Sequence, residues 1–136
     1  MTIPLREFSH LKADEKAIAE RWTRKALLQG RREWDVHLDV PEVKLPAYWT
    51  KKDIKNYQGL KAKRIDLVVH AKDAIWIMEI TPKVSKAAVG GCMTYKDLYE
   101  KQFKPSKPVK LGIIVEVDDP AYHGILKSLD IRLWVV

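Results

Sequence analysis

The sequence predicts an α/β fold, a mixed β-sheet flanked by helices. Three observations carry that prediction. Short β-rich runs are interleaved with segments whose apolar residues recur at helical spacing. One run, Lys110-Leu-Gly-Ile-Ile-Val-Glu-Val117, is almost continuously apolar, as a strand covered on both faces must be. The chain has 136 residues, 46% hydrophobic and 32% charged, enough to build one core of its own. The expected order is helix, three strands, helix, strand, helix, strand, with residues 1–136 as one domain.

Ser9 to Gln29 reads as the first helix. Ser9 is its expected N-cap, Ala13, Ala17, Ile18, Trp22, Ala26 and Leu27 or Leu28 its apolar stripe, and Gly30 its stop. Trp34 to Val40 alternates and reads as the first strand. Pro41 and Pro46 then break the chain, and residues 41–63 read as a long polar connection, a length that in a small domain marks function or mobility. Arg64-Ile-Asp-Leu-Val-Val-His70 and Ile75-Trp-Ile-Met-Glu-Ile-Thr81 flank a short polar step and read as a hairpin turning at Lys72-Asp73. Pro82 ends it. Ser85 to Phe103 is helical in pattern, with Ala88, Cys92, Tyr95, Tyr99 and Phe103 in one stripe. Gly90-Gly91 inside it costs about 1 kcal/mol per glycine relative to alanine, which predicts a close approach there. After the apolar strand, Asp118-Asp-Pro120 opens a short helix to about Ser128, and Ile131 to Val136 is a last strand.

The hairpin carries the chemistry. A turn at Lys72-Asp73 sets Asp66 directly opposite Glu79, with Cβ atoms about 5 Å apart. Two carboxylates so placed repel each other, and a bound divalent cation relieves the repulsion. A register slip of one residue would send them to opposite faces. His10, His37, His70 and His123 show no metal-ligand spacing and read as structural or surface residues. There is no phosphate-binding glycine loop, no nucleophile elbow and no zinc-type cluster.

Composition bounds the partners. A net charge of +7 favours a polyanion, and nucleic acid is the commonest. Cys92 is the only cysteine, so no internal disulfide forms, and a reducing compartment fits. The start has no signal-peptide core and no apolar run reaches membrane-spanning length. The expected location is therefore cytoplasmic or otherwise intracellular, a virus-encoded origin included, with no membrane partner.

These residues together resemble the PD-(D/E)XK nuclease superfamily, closest to its RecB-like and archaeal Holliday-junction-resolvase branches. Arg64-Ile-Asp66 is similar to the Asp that opens the second core strand, and Met78-Glu79-Ile80 to the acid of the third. Ala88-Val-Gly-Gly-Cys-Met-Thr-Tyr95 resembles the RecB-like Gly-Gln-x-x-x-Tyr helix. Ala19-Glu20-Arg21 resembles the resolvase helix with its Glu. The resemblance implies a restriction-endonuclease-like αβββαβ core. Two positions depart from the pattern: Thr81 stands where the family has Lys, and Gly91 where it has Gln. Lys83, two residues on, has the strand parity of Glu79 and Thr81, although Pro82 intervenes.

The resemblance implies a Mg²⁺- or Mn²⁺-dependent nuclease acting on DNA in preference to RNA. Asp66 and Glu79 would be direct metal ligands, with the Ile80 carbonyl, waters and Glu20 completing the shell. Glu15, five residues from Glu20, lies on a different part of the helix surface and is given no role. A lysine must steady charge on the phosphate, and Lys83 is the candidate, ahead of Lys86. Tyr95 reads as core. Lys51, Lys52, Lys55, Lys61, Lys63 and Arg64, interleaved with Trp49 and Tyr57, suit a nucleic-acid backbone. Lys101, Lys104, Lys107 and Lys110 form a second basic cluster. Loss of Lys and Gln at positions 81 and 91 suits the alternative, an inactive module of the same fold that binds DNA or builds a viral or nucleoprotein assembly. A metal-free nuclease is disfavoured, since no Tyr/His/Lys triad stands out. The last strand, if at a sheet edge, offers a homodimer contact.

Overall fold

The computed structural model describes residues 10–61 and 63–136. In chain order the elements are α1 (Ala13–Lys25), β1 (Arg31–Leu38), α2 (Lys51–Lys61), β2 (Lys63–His70), β3 (Ile75–Ile80), α3 (Lys86–Phe103), β4 (Val109–Val115), a 3-10 turn (Pro120–Tyr122), α4 (His123–Ser128) and β5 (Ile131–Val135). The five strands form one open sheet in the order β1-β2-β3-β4-β5. β1 and β2 run antiparallel, as do β2 and β3, whereas β4 is parallel to β3 and β5 to β4. This is the mixed α/β sheet that the sequence predicts. Among the described residues, no helix is long and apolar enough to cross a membrane.

Helices cover both faces. On one, Ile18, Ala19 and Trp22 of α1 pack on Leu67, Val69, Met78, Ile80, Ile114 and Trp134. On the other, Ala88, Cys92 and Tyr99 of α3 and Leu126 of α4 pack on Val68, Ile75, Ile77, Leu111 and Ile113. β4 is covered on both sides, which accounts for its unbroken apolar run. Gly112 sits at its centre because a Cβ there would lie 2.4 Å from the Trp134 ring and 2.6 Å from Met78 Sδ. Its missing side chain lets Trp134 lie across the sheet and meet Trp22 and Trp76 edge-on, with ring centroids 6.0 and 5.5 Å apart.

Four expectations are corrected. The first helix is shorter than Ser9–Gln29. It starts at Ala13, and Ala26 closes it in the left-handed region (φ 48), well before Gly30; the expected cap, Ser9, lies outside the described residues. Gly30 instead leads into β1, where φ is 150 and a Cβ would strike the His70 carbonyl at 2.5 Å. β1 accordingly spans Arg31–Leu38 and not residues 34–40. The connection after Pro41 contains α2. Its start is a reciprocal cap in which Thr50 N–H donates to Asp53 (2.9 Å) and Asp53 N–H donates to the Thr50 hydroxyl (3.1 Å). Finally, no close approach explains Gly90-Gly91. A Cβ at Gly90 would meet nothing within 4 Å, and one at Gly91 only the Tyr95 ring at 3.7 Å.

Candidate active site

The hairpin register is the one expected. Leu67 pairs with Met78, Val68 with Ile77, Val69 with Trp76 and His70 with Ile75, and Ala71 N–H donates to the Ala74 carbonyl across the turn (3.0 Å). The ladder stops there. At the next step Asp66 turns its carboxylate over the strand, and Oδ2 accepts the Ile80 N–H at 2.9 Å. The same point breaks β1. Trp34 pairs with Leu67 and Val36 with Ile65, but Asp35 between them has φ 56 and no ladder partner. Ile65 and Leu67, two apart, pack into opposite clusters. A non-glycine residue in the left-handed region mid-strand is strained, and such strain gathers at functional sites. Arg64 holds Asp35 there with two hydrogen bonds, 2.6 and 2.8 Å.

Asp66 and Glu79 share one electrostatic environment. Burial pushes the Asp66 carboxyl up; the Ile80 N–H opposes this, and the charges of Glu15 and Asp35 add to it. Burial likewise pushes Glu79 up, past neutrality, reinforced by Asp66 and Glu15. Glu79 Oε1 is buried and, among the described residues, has no hydrogen-bond partner. An anionic oxygen without a partner is costly to bury, so the fold keeps a proton on it or supplies a cation. From α3, Cys92 and Tyr95 border the same spot. Both are pushed up, first by burial and then by the charges of Glu79 and Asp66.

Two residues enter the site that sequence reasoning passed over. Glu15 is the α1 acid that acts on both carboxyls. Glu20 points elsewhere, 40% exposed and paired with Arg24. Five residues turn an α-helix by about 140°, so the two acids cannot share a face. His10 is the other. Its side chain is only 5% exposed, and Nε2 lies 3.7 Å from Asp66 Oδ1. Among the described residues neither ring nitrogen has a hydrogen-bond partner, and burial lowers its pKa, so the imidazole is neutral with a lone pair to offer.

The remaining candidates scatter. Lys83 is exposed and its ammonium lies 3.3 Å from Asp119. Lys86, at the start of α3, is exposed. Lys51, Lys52 and Lys55 lie exposed on α2, while the side chain of Lys61 lies outside the described residues. Lys63 and Arg64 belong to β2, and Arg64 is committed to Asp35. In the second basic cluster, Lys101 pairs with Asp97, Lys107 donates to the Ala71 carbonyl and Lys110 lies over Trp76. Among the described residues, no three His, Cys, Asp or Glu side chains converge into a ready metal cage. Mg²⁺ does not need one, since it is held by one or two carboxylates and several waters. The chain matches no family model, no curated protein and no solved structure.

Proposed function

We propose that the protein is a small metal-dependent nuclease that hydrolyses phosphodiester bonds in DNA. The observation that carries this reading is the buried Glu79 Oε1, without a partner among the described residues and burdened by burial and by the charge of Asp66. The donor set suits a hard divalent ion such as Mg²⁺ or Mn²⁺. Asp66, Glu79 and the Ile80 carbonyl would hold it, and the neutral His10 nitrogen beside Asp66 would favour Mn²⁺. When bound, the ion supplies an activated water and neutralises phosphate charge. Glu15 keeps the site acidic from the α1 side. The mixed sheet, with an antiparallel β1-β2-β3 unit followed by α3 and a parallel β4, supports the restriction-endonuclease-like core implied by the sequence motifs.

The lysine role goes to Lys83. Its pairing with Asp119 is exposed, and such surface pairs are worth about 0–1 kcal/mol, so the side chain leaves it at small cost. Cleavage of a single-stranded DNA oligonucleotide and nicking of supercoiled plasmid, each with Mn²⁺, with Mg²⁺ and with EDTA, test the proposal. Cutting that requires the metal and vanishes in Asp66→Asn is expected; a wild type that cuts neither DNA with either ion overturns it.

A second reading has its own observation. Thr81 stands at the family's lysine position, and Lys83 is drawn away to Asp119. That suits an inactive nuclease-fold module that binds DNA or builds a nucleoprotein assembly. Restoration of cutting by Thr81→Lys in an otherwise silent protein is the result that favours it.

A further inference from the structure

A second locus lies at the start of α2. Tyr48, Trp49, Asp53, Asn56 and Tyr57 line a hollow of about 430 Å³. Trp49 and Tyr57 meet edge-to-face at 5.6 Å and form its wall. Tyr48 stands at its mouth, 84% exposed. An aromatic side chain left in water gains nothing for the fold, and three around one hollow mark a binding surface. The Asp53 carboxylate is occupied by the helix cap, which holds its pKa down. Among the described residues, the Asn56 amide has no hydrogen-bond partner, and Lys51, Lys52 and Lys55 project from the same helix without an ion pair.

A flat ring face, a free amide with donors and acceptors, and three unpaired cations are the chemistry that recognises an unpaired nucleotide. The ring stacks on the base, the amide meets its edge, and the lysines meet phosphates. A duplex hides its ring faces and offers such a hollow nothing.

The hollow also leads somewhere. Tyr57 is shared with a second, mainly apolar hollow of about 480 Å³, whose far wall is Thr94 and Leu98 of α3. Tyr95, next to Thr94, lies within electrostatic reach of Glu79 and Asp66. The second hollow thus borders the same helix that brings Tyr95 to the acid pair.

We propose that the hollow before α2 is a stacking site for an unpaired nucleobase and that the protein's substrate is single-stranded nucleic acid. The assignment as substrate rests on the nuclease reading; the binding site does not. The test is fluorescence anisotropy with oligo-dT and oligo-rU of about 15 nucleotides and a blunt duplex of the same length, in EDTA. At least one single strand is expected to bind about tenfold or more tighter than the duplex. Tyr48→Ala should weaken that binding about tenfold, and Tyr48→Phe should restore it. Tyr48 is exposed, so neither change should move the thermal midpoint or its response to Mn²⁺. A duplex bound as tightly as both strands, no strand binding at all, or an unchanged affinity in Tyr48→Ala overturns the site. Single-strand binding without metal-dependent cutting leaves the site standing and removes the nuclease reading. Cutting with Tyr48→Ala binding like wild type does the reverse.

Discussion

Glu79→Gln should stabilise the metal-free protein, and only above the ordinary carboxylate range. The sign follows from the fold. In the unfolded chain Glu79 ionises near pH 4.3. In the native state burial, Asp66 and Glu15 keep it protonated to beyond neutrality. Between those two pH values the unfolded state releases a proton that the native state retains, so wild-type stability falls as pH rises through that window. The loss is about 1.4 kcal/mol per pH unit, a ceiling of about 3–4 kcal/mol at pH 7. Gln keeps the shape but needs its own hydrogen-bond partners where Oε1 has none, which returns part of the gain. A net gain of about 2 kcal/mol is expected at pH 7–8, or about 6–10 °C in Tm, and none at pH 4. Thermal unfolding followed by tryptophan fluorescence in EDTA at both pH values measures it. Mn²⁺ at about a hundredfold excess over its Kd should add about 2.7 kcal/mol to wild type and little to Glu79→Gln. An equal gain at pH 4 and pH 8, a loss at pH 8, or an undiminished response of the variant to Mn²⁺ would refute the reasoning.

Four further outcomes are expected. Lys83→Ala should lower DNA cutting about a hundredfold while DNA affinity holds, because the interaction matters in the transition state; equal cutting would move the role to Lys86 or a lysine of α2. Asp119→Asn, which removes the charge that holds Lys83 and keeps an acceptor for the Ala121 N–H, should not slow it. Gly90→Ala should raise stability by up to about 1 kcal/mol in chemical denaturation, since a Cβ there meets nothing and the helix gains propensity; a destabilised variant would refute that open space. Replacing Lys51, Lys52 and Lys55 with Ala should reduce the slope of log K against log salt by up to about 0.7 for each phosphate of a single strand that the lysines neutralise; an unchanged slope would place the polyanion elsewhere.

The hairpin was legible because a polar step between two β-rich runs defines a turn, and the turn defines every pair after it. Ser85, which caps α3 through the Ala88 N–H, and the doubly covered β4 were legible for equally local reasons. α2 was hidden although Thr50 and Asp53 carry the capping spacing, because lysines and prolines dominate the segment and mask its period. The choice of Glu20 over Glu15 failed on helix phase. The apolar stripe fixes roughly which face is inward but not where along the axis the sheet's acid end lies. His10 had no signal at all, because its neighbour Asp66 belongs to another part of the chain and the two meet only in the tertiary fold.

The three tryptophans have a consequence for how the protein is made. Trp22 of α1 finds its partner in Trp134 of β5, more than a hundred residues away in sequence. Closing so long a loop is slow, and pairings of this kind lengthen folding times. During synthesis α1 emerges before the sheet it packs on: Leu67, Val69, Met78, Ile80 and Ile114 follow with β2, β3 and β4, and Trp134 of β5 completes the cluster last. α1 is thus fully seated only when β5 joins the sheet. Release of the chain before Trp134 would leave Trp22 without its aromatic partner and the cluster open at β4, a species suited to chaperones and proteases.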